Sequence, residues 1–199
     1  LQHLFEQHNV VRALKNSFAT TLLQTFAALA VSSIAGYGFE IYHDKAKDTV
    51  MAILMLAMMV PFVAVLVPLF QMFTKAKLIN SWTGFILPSI ATPFLIMYFR
   101  NSARSFPRDT LEAARIDSLN EFQIFIRMFI PMMKPTYASA ATITFMGAWN
   151  AYLWPKVVMQ TNEAITMPML VANTMGGYVI DYGVVMAAVT ICSLPTVII

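Results

Sequence analysis

The chain has 199 residues, 58% hydrophobic and only 12% charged, against roughly a quarter charged in a typical soluble domain. With a mean hydropathy of +0.66 and Cys192 as its single cysteine, it is not a disordered chain, a collagen-like chain or a disulfide-stapled secreted domain. The net charge of +3 would suit nucleic acid only if the basic residues formed a patch; they sit instead between apolar stretches and read as orientation signals.

Five stretches carry no charge: 16–39, 49–74, 78–99, 135–155 and 182–199. The first, as a helix, is roughly 36 Å long, enough for a hydrocarbon core of about 30 Å. These stretches predict five transmembrane helices and an all-α membrane protein. No segment reads as a cleavable signal peptide. Position 1 is Leu and the chain stops inside an apolar run, which suggests an excerpt of a longer chain, with a complete small membrane protein as the alternative. Lys45, Lys47, Arg100, Arg104, Arg108, Arg115, Arg127 and Lys134 fall on one side; Arg12, Lys15, Lys75, Lys77 and Lys156 fall on the other. The positive-inside rule puts the larger set in the cytoplasm and residue 1 outside.

In chain order, the first span carries Ser17, Thr21 and Gln24 at helical spacing. Such a polar stripe faces either a neighbouring helix or a pore. Pro61, Pro68, Pro88 and Pro93 fall inside apolar spans, where each removes a backbone donor and predicts a kink. The charged segment 100–134 predicts two short helices. Asp109-Thr110-Leu111-Glu112 reads as a start with Asp109 as N-cap, and Ser118-Leu119-Asn120-Glu121 repeats the pattern, so the second helix begins near Ser118. Leu119, Phe122, Ile126, Phe129 and Met133 then form one apolar face. Taken alone, the pair reads equally well as interfacial helices lying on the membrane.

Trp149, Asn150 and Tyr152 combine flat apolar faces with hydrogen-bonding groups, suited to packing or to a sugar ring. Trp154 reads as an interfacial anchor. An outer loop, 160–181, has Gly176-Gly177 as a flexible turn. His3, His8 and His43 lie in unrelated loops without metal spacing. There is no H-E-x-x-H, no G-x-S-x-G and no phosphate-binding G-x-x-x-x-G-K-[ST]. Most of the 15 methionines sit in the spans, where they fill gaps.

Glu112-Ala113-Ala114-Arg115-Ile116-Asp117, followed by Phe122, Phe125, Ile130-Pro131 and Pro135, resembles the cytoplasmic "EAA" loop of binding-protein-dependent ABC importer permeases (type I). That loop reads EAA, three residues, Gly, nine residues, then Ile-x-Leu-Pro. The spacing from Glu112 to Pro131 fits without a gap, with Ser118 at the glycine position, Met128 at the isoleucine and Ile130 at the leucine. The last two are tolerable changes of volume, whereas glycine permits a left-handed turn that serine disfavours. A serine N-cap would close that turn differently. Trp149-Asn150-Ala151-Tyr152-Leu153-Trp154-Pro155 is similar to the W-N-x-[YF]-L-W-P stretch of the carbohydrate branch, the relatives of the smaller maltose-system permease. Asn16-Ser17 and Pro68-Leu69-Phe70 are also familiar from that branch.

The resemblance implies that residues 1–199 form a permease domain of five helices with a cytoplasmic coupling loop at 100–135, a transporter and not an enzyme. It implies a multi-pass protein of the bacterial cytoplasmic membrane, with no nucleic-acid partner, that imports a sugar or oligosaccharide. Its implied partners are a second permease, a cytoplasmic ATPase dimer and an extracytoplasmic solute-binding protein that meets the 160–181 loop. The chain itself would bind no cofactor, ATP being hydrolysed by the ATPase. Glu112, Ala113, Ala114, Asp117, Ser118, Phe122 and Phe125 would transmit motion, with Ala113 and Ala114 allowing close approach and Phe122 or Phe125 anchoring in a pocket. Gln24, Trp149, Asn150 and Tyr152 are the candidates for the substrate pathway. A permease of the same class for another solute (glycerol phosphate, an amino acid or a metal) and an unrelated membrane protein remain alternatives.

Overall fold

The first uncharged stretch becomes one uninterrupted helix, α1 (Val10–Ile41), in the computed structural model, which describes residues 10–176 and 181–199. His3, His8 and Gly177 lie outside the described residues. α1 is followed by α2 (Lys45–Ala57), α3 (Phe62–Lys75), α4 (Trp82–Ile86) with a 3₁₀ turn at Leu87–Ser89, and α5 (Pro93–Ala103). Next come α6 (Arg108–Ile116), α7 (Glu121–Ile124), a π turn at Phe125–Phe129, α8 (Ile130–Met132) and α9 (Lys134–Trp149). The chain ends with α10 (Leu153–Val158), a 3₁₀ turn at Asn162–Ala164, α11 (Met167–Thr174) and α12 (Tyr182–Ile198). Among the described residues the fold is all-helical.

Three of the five expected spans are interrupted. The 49–74 stretch breaks at 58–61, the 78–99 stretch at 90–92 and the 135–155 stretch at 150–152. Among the described residues, α1 alone is long and apolar enough to cross a membrane by itself. The count rises to three if α2 with α3, and α4 (with its 3₁₀ turn) with α5, each make one span. Prolines explain two of the breaks: Pro61 immediately precedes α3, and Pro93 opens α5, where its missing N–H costs nothing. Pro68, by contrast, is absorbed within α3. Large apolar side chains such as Phe26 (76% exposed) and Met59 (79%) face outward, as suits a protein solvated by lipid rather than water.

The chain divides into two compact units, one of residues 1–25, 62–88 and 144–199, the other of 26–61 and 89–143. In the first unit, Asn16 donates from Nδ2 to the carbonyls of Glu163 (2.8 Å) and Ile165 (3.0 Å). Its neighbour Ser17 accepts from the Met167 amide at 2.7 Å. Ser17 thereby caps α11, whose own N-cap residue Thr166 makes no side-chain bond. The polar stripe of α1 is, at Ser17, a contact between helices. Met167, Met169 and Leu170 are buried, and Met167 and Leu170 pack with Val10, Ala13 and Ala188. Residues 160–181, expected as a loop, therefore contain a docked helix, because an apolar Met-Pro-Met-Leu-Val run is better buried than exposed.

The same unit shows how a proline break is repaired. Pro88 has no N–H to offer the Gly84 carbonyl one helical turn earlier. Trp154 supplies it: Nε1–H lies 3.1 Å from the Gly84 oxygen and 3.2 Å from that of Phe85. Its ring stands edge-on to Phe73, with centroids 5.1 Å apart. Trp154 is buried, which corrects the interfacial-anchor expectation: its N–H is committed to backbone, not to the headgroup region. Gly84 itself tolerates no side chain, since a Cβ there would fall 2.0 Å from the Leu78 oxygen.

In the second unit, α1 and α5 approach closely at Gly36. A Cβ at that position would meet the Phe99 Cβ at 2.6 Å and the Arg100 amide nitrogen at 2.7 Å, the small-residue contact typical of membrane helices. Ala28, Leu95, Phe99 and Ala140 form one core there. A second core, with Tyr37, Phe106, Ile124 and Phe129, lies under the 100–135 loop.

Ser17→Ala removes the one side-chain acceptor on a buried amide. It is expected to cost about 1–3 kcal/mol and to raise hydrogen exchange selectively at Met167 and in the first turn of α11.

Candidate functional site

The 100–135 segment folds as the expected pair of short helices, with different caps. Pro107, not Asp109, is the N-cap of α6, and it makes no side-chain cap bond. Asp109 sits in the first turn, where its charge suits the helix dipole. The first helix is thus capped two residues earlier than expected, whereas the second is capped two residues later. Asn120 caps α7 by accepting from the Gln123 amide at 2.9 Å, and Gln123 Oε1 accepts in return from the Asn120 amide at 3.0 Å.

Ser118 caps nothing. Its φ is +61°, so serine has taken up the left-handed conformation that glycine would adopt. The Leu119 amide donates to the Ala114 carbonyl (3.1 Å) and the Ser118 amide to that of Arg115 (3.0 Å). These are the two bonds of a Schellman C-cap, and Leu119 packs on the core that contains Ala114. The expectation of a serine N-cap is overturned by this pattern, which satisfies the last carbonyls of α6 instead.

The apolar face is also redistributed. Ile124, Phe125, Phe129 and Met133 are buried, whereas Phe122 is 68% exposed and Ile126 is exposed. The π turn at Phe125–Phe129 inserts a wider period, so a 3.6-residue count from Leu119 drifts off the buried side. Phe125 stacks on Phe129 (5.5 Å) and meets the Tyr37 ring edge-on (5.3 Å). It is a core residue rather than an exposed anchor. Ala114 is buried too, so its close approach is to its own loop's core. Of the segment's candidate contact residues, Glu112, Ala113, Asp117, Ser118 and Phe122 are exposed, and Ile116 (82% exposed) stands out with them.

Charged side chains hold this unit from two sides, and neither cluster is legible as a motif. The Arg100 guanidinium, buried at 7% side-chain exposure, meets Glu40 at 3.4 Å and Asp48 at 2.5 Å. Arg104 reaches the same Glu40 oxygen at 3.5 Å, and His43 pairs with Asp48 at 2.9 Å. α1, the turn before α2, α2 and α5 are thus joined at one end. On the other side, Arg115 of α6 donates to Glu121 of α7 at 2.9 Å. Burial works to raise the Glu121 carboxyl, but hydrogen bonds from Tyr42, Arg115 and Tyr37 together outweigh it and hold the group below its ordinary range. The stabilisation from a lowered carboxyl is present above its unfolded-state pKa and disappears as pH falls through the lower folded-state value. The helix pair therefore keeps this link throughout the neutral range.

The substrate-pathway candidates separate. Trp149 is buried between Phe18 and Phe145, at centroid distances of 4.9 and 6.0 Å, and donates from Nε1 to the Cys192 carbonyl at 2.8 Å. Asn150 and Tyr152 come together on a mostly apolar groove of about 380 Å³, lined also by Val171, Met175, Cys192 and Thr196. Gln24 is half-buried on α1 and does not line that groove. Among the described residues no group of three or more His, Cys, Asp or Glu side chains is placed to hold a metal ion.

Interrupted apolar helices carrying an exposed helix–turn–helix are the architecture of an ABC transporter's membrane subunit. The crystal structure of a bacterial ABC transporter involved in the import of the acidic polysaccharide alginate matches 99% of this chain and 75% of that one, with a TM-score of 0.89 at 20% identity. The chain belongs to the family of binding-protein-dependent transport system inner membrane components, whose model matches residues 28–199. Among its relatives are the lactose transport system permease protein LacG of Rhizobium radiobacter, 40% identical over 98% of this chain, and the arabinooligosaccharides transport system permease protein AraQ of Bacillus subtilis, 34% identical over 92%. The chain spans 71% of the length of the first and 66% of the second.

Two substitutions test the site's geometry. Ser118→Gly relieves a left-handed residue costing about 1–2 kcal/mol, partly offset by the entropy glycine loses on folding. A net gain of roughly 0.5 kcal/mol is expected, read as slower hydrogen exchange at Ser118 and Leu119. Glu40→Ala takes from buried Arg100 one of its two carboxylates and from exposed Arg104 the same partner, and is expected to cost about 1–3 kcal/mol, read as a lower Tm in detergent.

Proposed function

We propose that this chain is the permease subunit of an ATP-driven importer that carries a sugar or oligosaccharide across the bacterial cytoplasmic membrane. The observation that carries the proposal is the relationship to LacG, 40% identical over 98% of this chain. AraQ, a permease for a second class of saccharide, supports the same solute type.

The chain holds no phosphate-binding loop motif, so the work comes from a partner ATPase dimer on the cytoplasmic side. The 100–135 loop is its contact. Ile116, Phe122 and the small Ala113 are all exposed on it, and they supply an apolar knob that suits insertion into a groove. Glu112 and Asp117, both exposed, are available to basic groups of the ATPase. Ala114, Ser118 and Phe125 act from within: two are buried and the third makes the turn, so together they fix the knob's direction. Closure of the ATPase dimer on ATP then moves this loop and the matching loop of a second permease together, switching the solute pathway from inward- to outward-facing. An extracytoplasmic solute-binding protein delivers the solute.

For the pathway, Asn150 and Tyr152 offer an amide and an aromatic face on one groove, the combination that suits a sugar ring. Gln24, half-buried on α1 and outside that groove, offers the pathway a second polar contact. Trp149 supports this surface from behind, with its N–H already committed.

Purification of the intact complex, with mass-spectrometric identification of its subunits and of the ligand on the binding protein, tests the reading. An ATPase and a saccharide are expected. A phosphorylated glycerol or an amino acid in that place sinks the sugar assignment, and a complex without an ATPase sinks the importer. In the same complex Ala113→Trp is expected to leave membrane insertion intact while lowering ATP-dependent uptake by about two orders of magnitude, the loss of a well-packed interface anchor.

A further inference from the structure

The coupling loop has to pass its displacement to a membrane helix, and one side chain is placed to do so. Glu121 is the first residue of α7, set there by the Asn120–Gln123 capping box and by the left-handed turn at Ser118. Its Oε1 accepts from Arg115 Nε at 2.9 Å and lies at the same distance from the charged Nη2, which closes α6 onto α7. Its Oε2 accepts from the Tyr37 hydroxyl at 3.3 Å. Tyr37 lies in the last turns of α1, 5% exposed, with its ring edge-on to Phe125 (5.3 Å) and Phe129 (4.9 Å). Tyr42, just beyond α1, helps to hold the same carboxylate below its ordinary range.

We infer that Glu121 is a positioning residue that locks the coupling helix α6 to the end of α1, so that the two move as one body when the ATPase closes. The inference rests on the importer reading above and adds to it a residue outside the exposed docking surface. The physical case is one of bond character. The apolar packing of Phe125, Phe129 and Tyr37 keeps the surfaces in contact but lets them slide at little cost. A charge-assisted hydrogen bond between a guanidinium and a carboxylate is directional and resists sliding. It is also only partly desolvated, both side chains being 42% exposed, so its net contribution to stability is small. Its role is therefore register rather than folding. Arg115 and Glu121 stand on α6 and α7 while the hydroxyl that completes the node belongs to α1, so the carboxylate is a polar group shared by all three.

The test uses the complete transporter in lipid nanodiscs, with its second permease, ATPase and solute-binding protein. Glu121→Gln keeps the shape and an acceptor for Tyr37 but removes the charge that holds Arg115. Tyr37→Phe keeps the aromatic packing and removes only the hydroxyl. Both variants are expected to assemble with the ATPase at wild-type stoichiometry and to hydrolyse ATP at the basal rate. Stimulation of hydrolysis by the loaded binding protein, and solute moved per ATP, should fall roughly ten-fold in Glu121→Gln, within the ordinary range for coupled sites, and by a smaller factor in Tyr37→Phe. If the two residues act through one link, the double variant is no worse than Glu121→Gln alone. Wild-type stimulation in both single variants overturns the proposal. Loss of the ATPase from both complexes also overturns it, since Glu121 would then serve docking. A wild-type complex without any ATPase overturns the importer reading itself.

Discussion

Turns and helix ends in a membrane free backbone groups that lipid cannot satisfy, and in this chain side chains distant in sequence answer for several of them. Trp154 supplies the N–H that Pro88 lacks. Ser17 accepts the Met167 amide at the start of α11, and Asn16 donates to the two carbonyls just before it. Asn80, held at a φ of +56°, donates its own amide to the Val158 carbonyl and accepts from the Gln160 amide. Each bond spans some 70 residues or more, so the interruptions are also where distant parts of the first unit are joined. The Asn16-Ser17 pair and the 149–155 stretch, which mark the carbohydrate branch, are thus largely repair chemistry. What reads as a family signature is, at Ser17, Trp149 and Trp154, a set of committed hydrogen bonds rather than a ligand site.

This constraint separates residues that shape the coupling loop from those that present it. Within the EAA segment, Ala114 is buried in the core on which Leu119 packs and carries the carbonyl that closes the C-cap, so a larger side chain there has little room. Ala113 is exposed one position earlier, so its size concerns whatever meets the loop from outside. A single helical step divides two adjacent alanines between folding and contact. Phe122 and Phe125 divide the same way across the π turn.

The extent of the loop, its two-helix form and the EAA spacing were legible because they depend on charge placement and on residue identity at fixed intervals. The caps were not. Asp109 and Ser118 both satisfy the pattern for a helix start, yet Pro107 and Asn120 hold those positions. The competing signal at Ser118, a demand for positive φ at the family's glycine, was stronger than serine's preference for an N-cap. Nor could periodicity show that a π turn would rotate Phe122 outward, since one added residue per turn leaves no mark in composition. The five uncharged stretches located the apolar helices but not their interruptions: Pro61 and Pro93 sit at breaks while Pro68 is carried within a helix, and proline identity alone does not distinguish them.

Charge counting treats Arg100, Arg104 and Arg115 as equivalent orientation markers, and the structure shows that they are not. Arg100 is buried against Glu40 and Asp48, Arg104 is exposed but shares Glu40, and Arg115 is half-exposed and bound to Glu121. A buried ion pair of the first kind contributes little net stability, because desolvation consumes most of the attraction, yet losing one partner is costly. Its effect is to permit one arrangement of α1, α2 and α5 and to penalise neighbouring ones. The Arg115–Glu121 pair does the same for α6, α7 and the end of α1, in a more solvated setting where it can re-form after being strained. A bundle that must change conformation as a unit needs both kinds: a buried network that fixes which helices travel together, and a solvated one through which an external push is received.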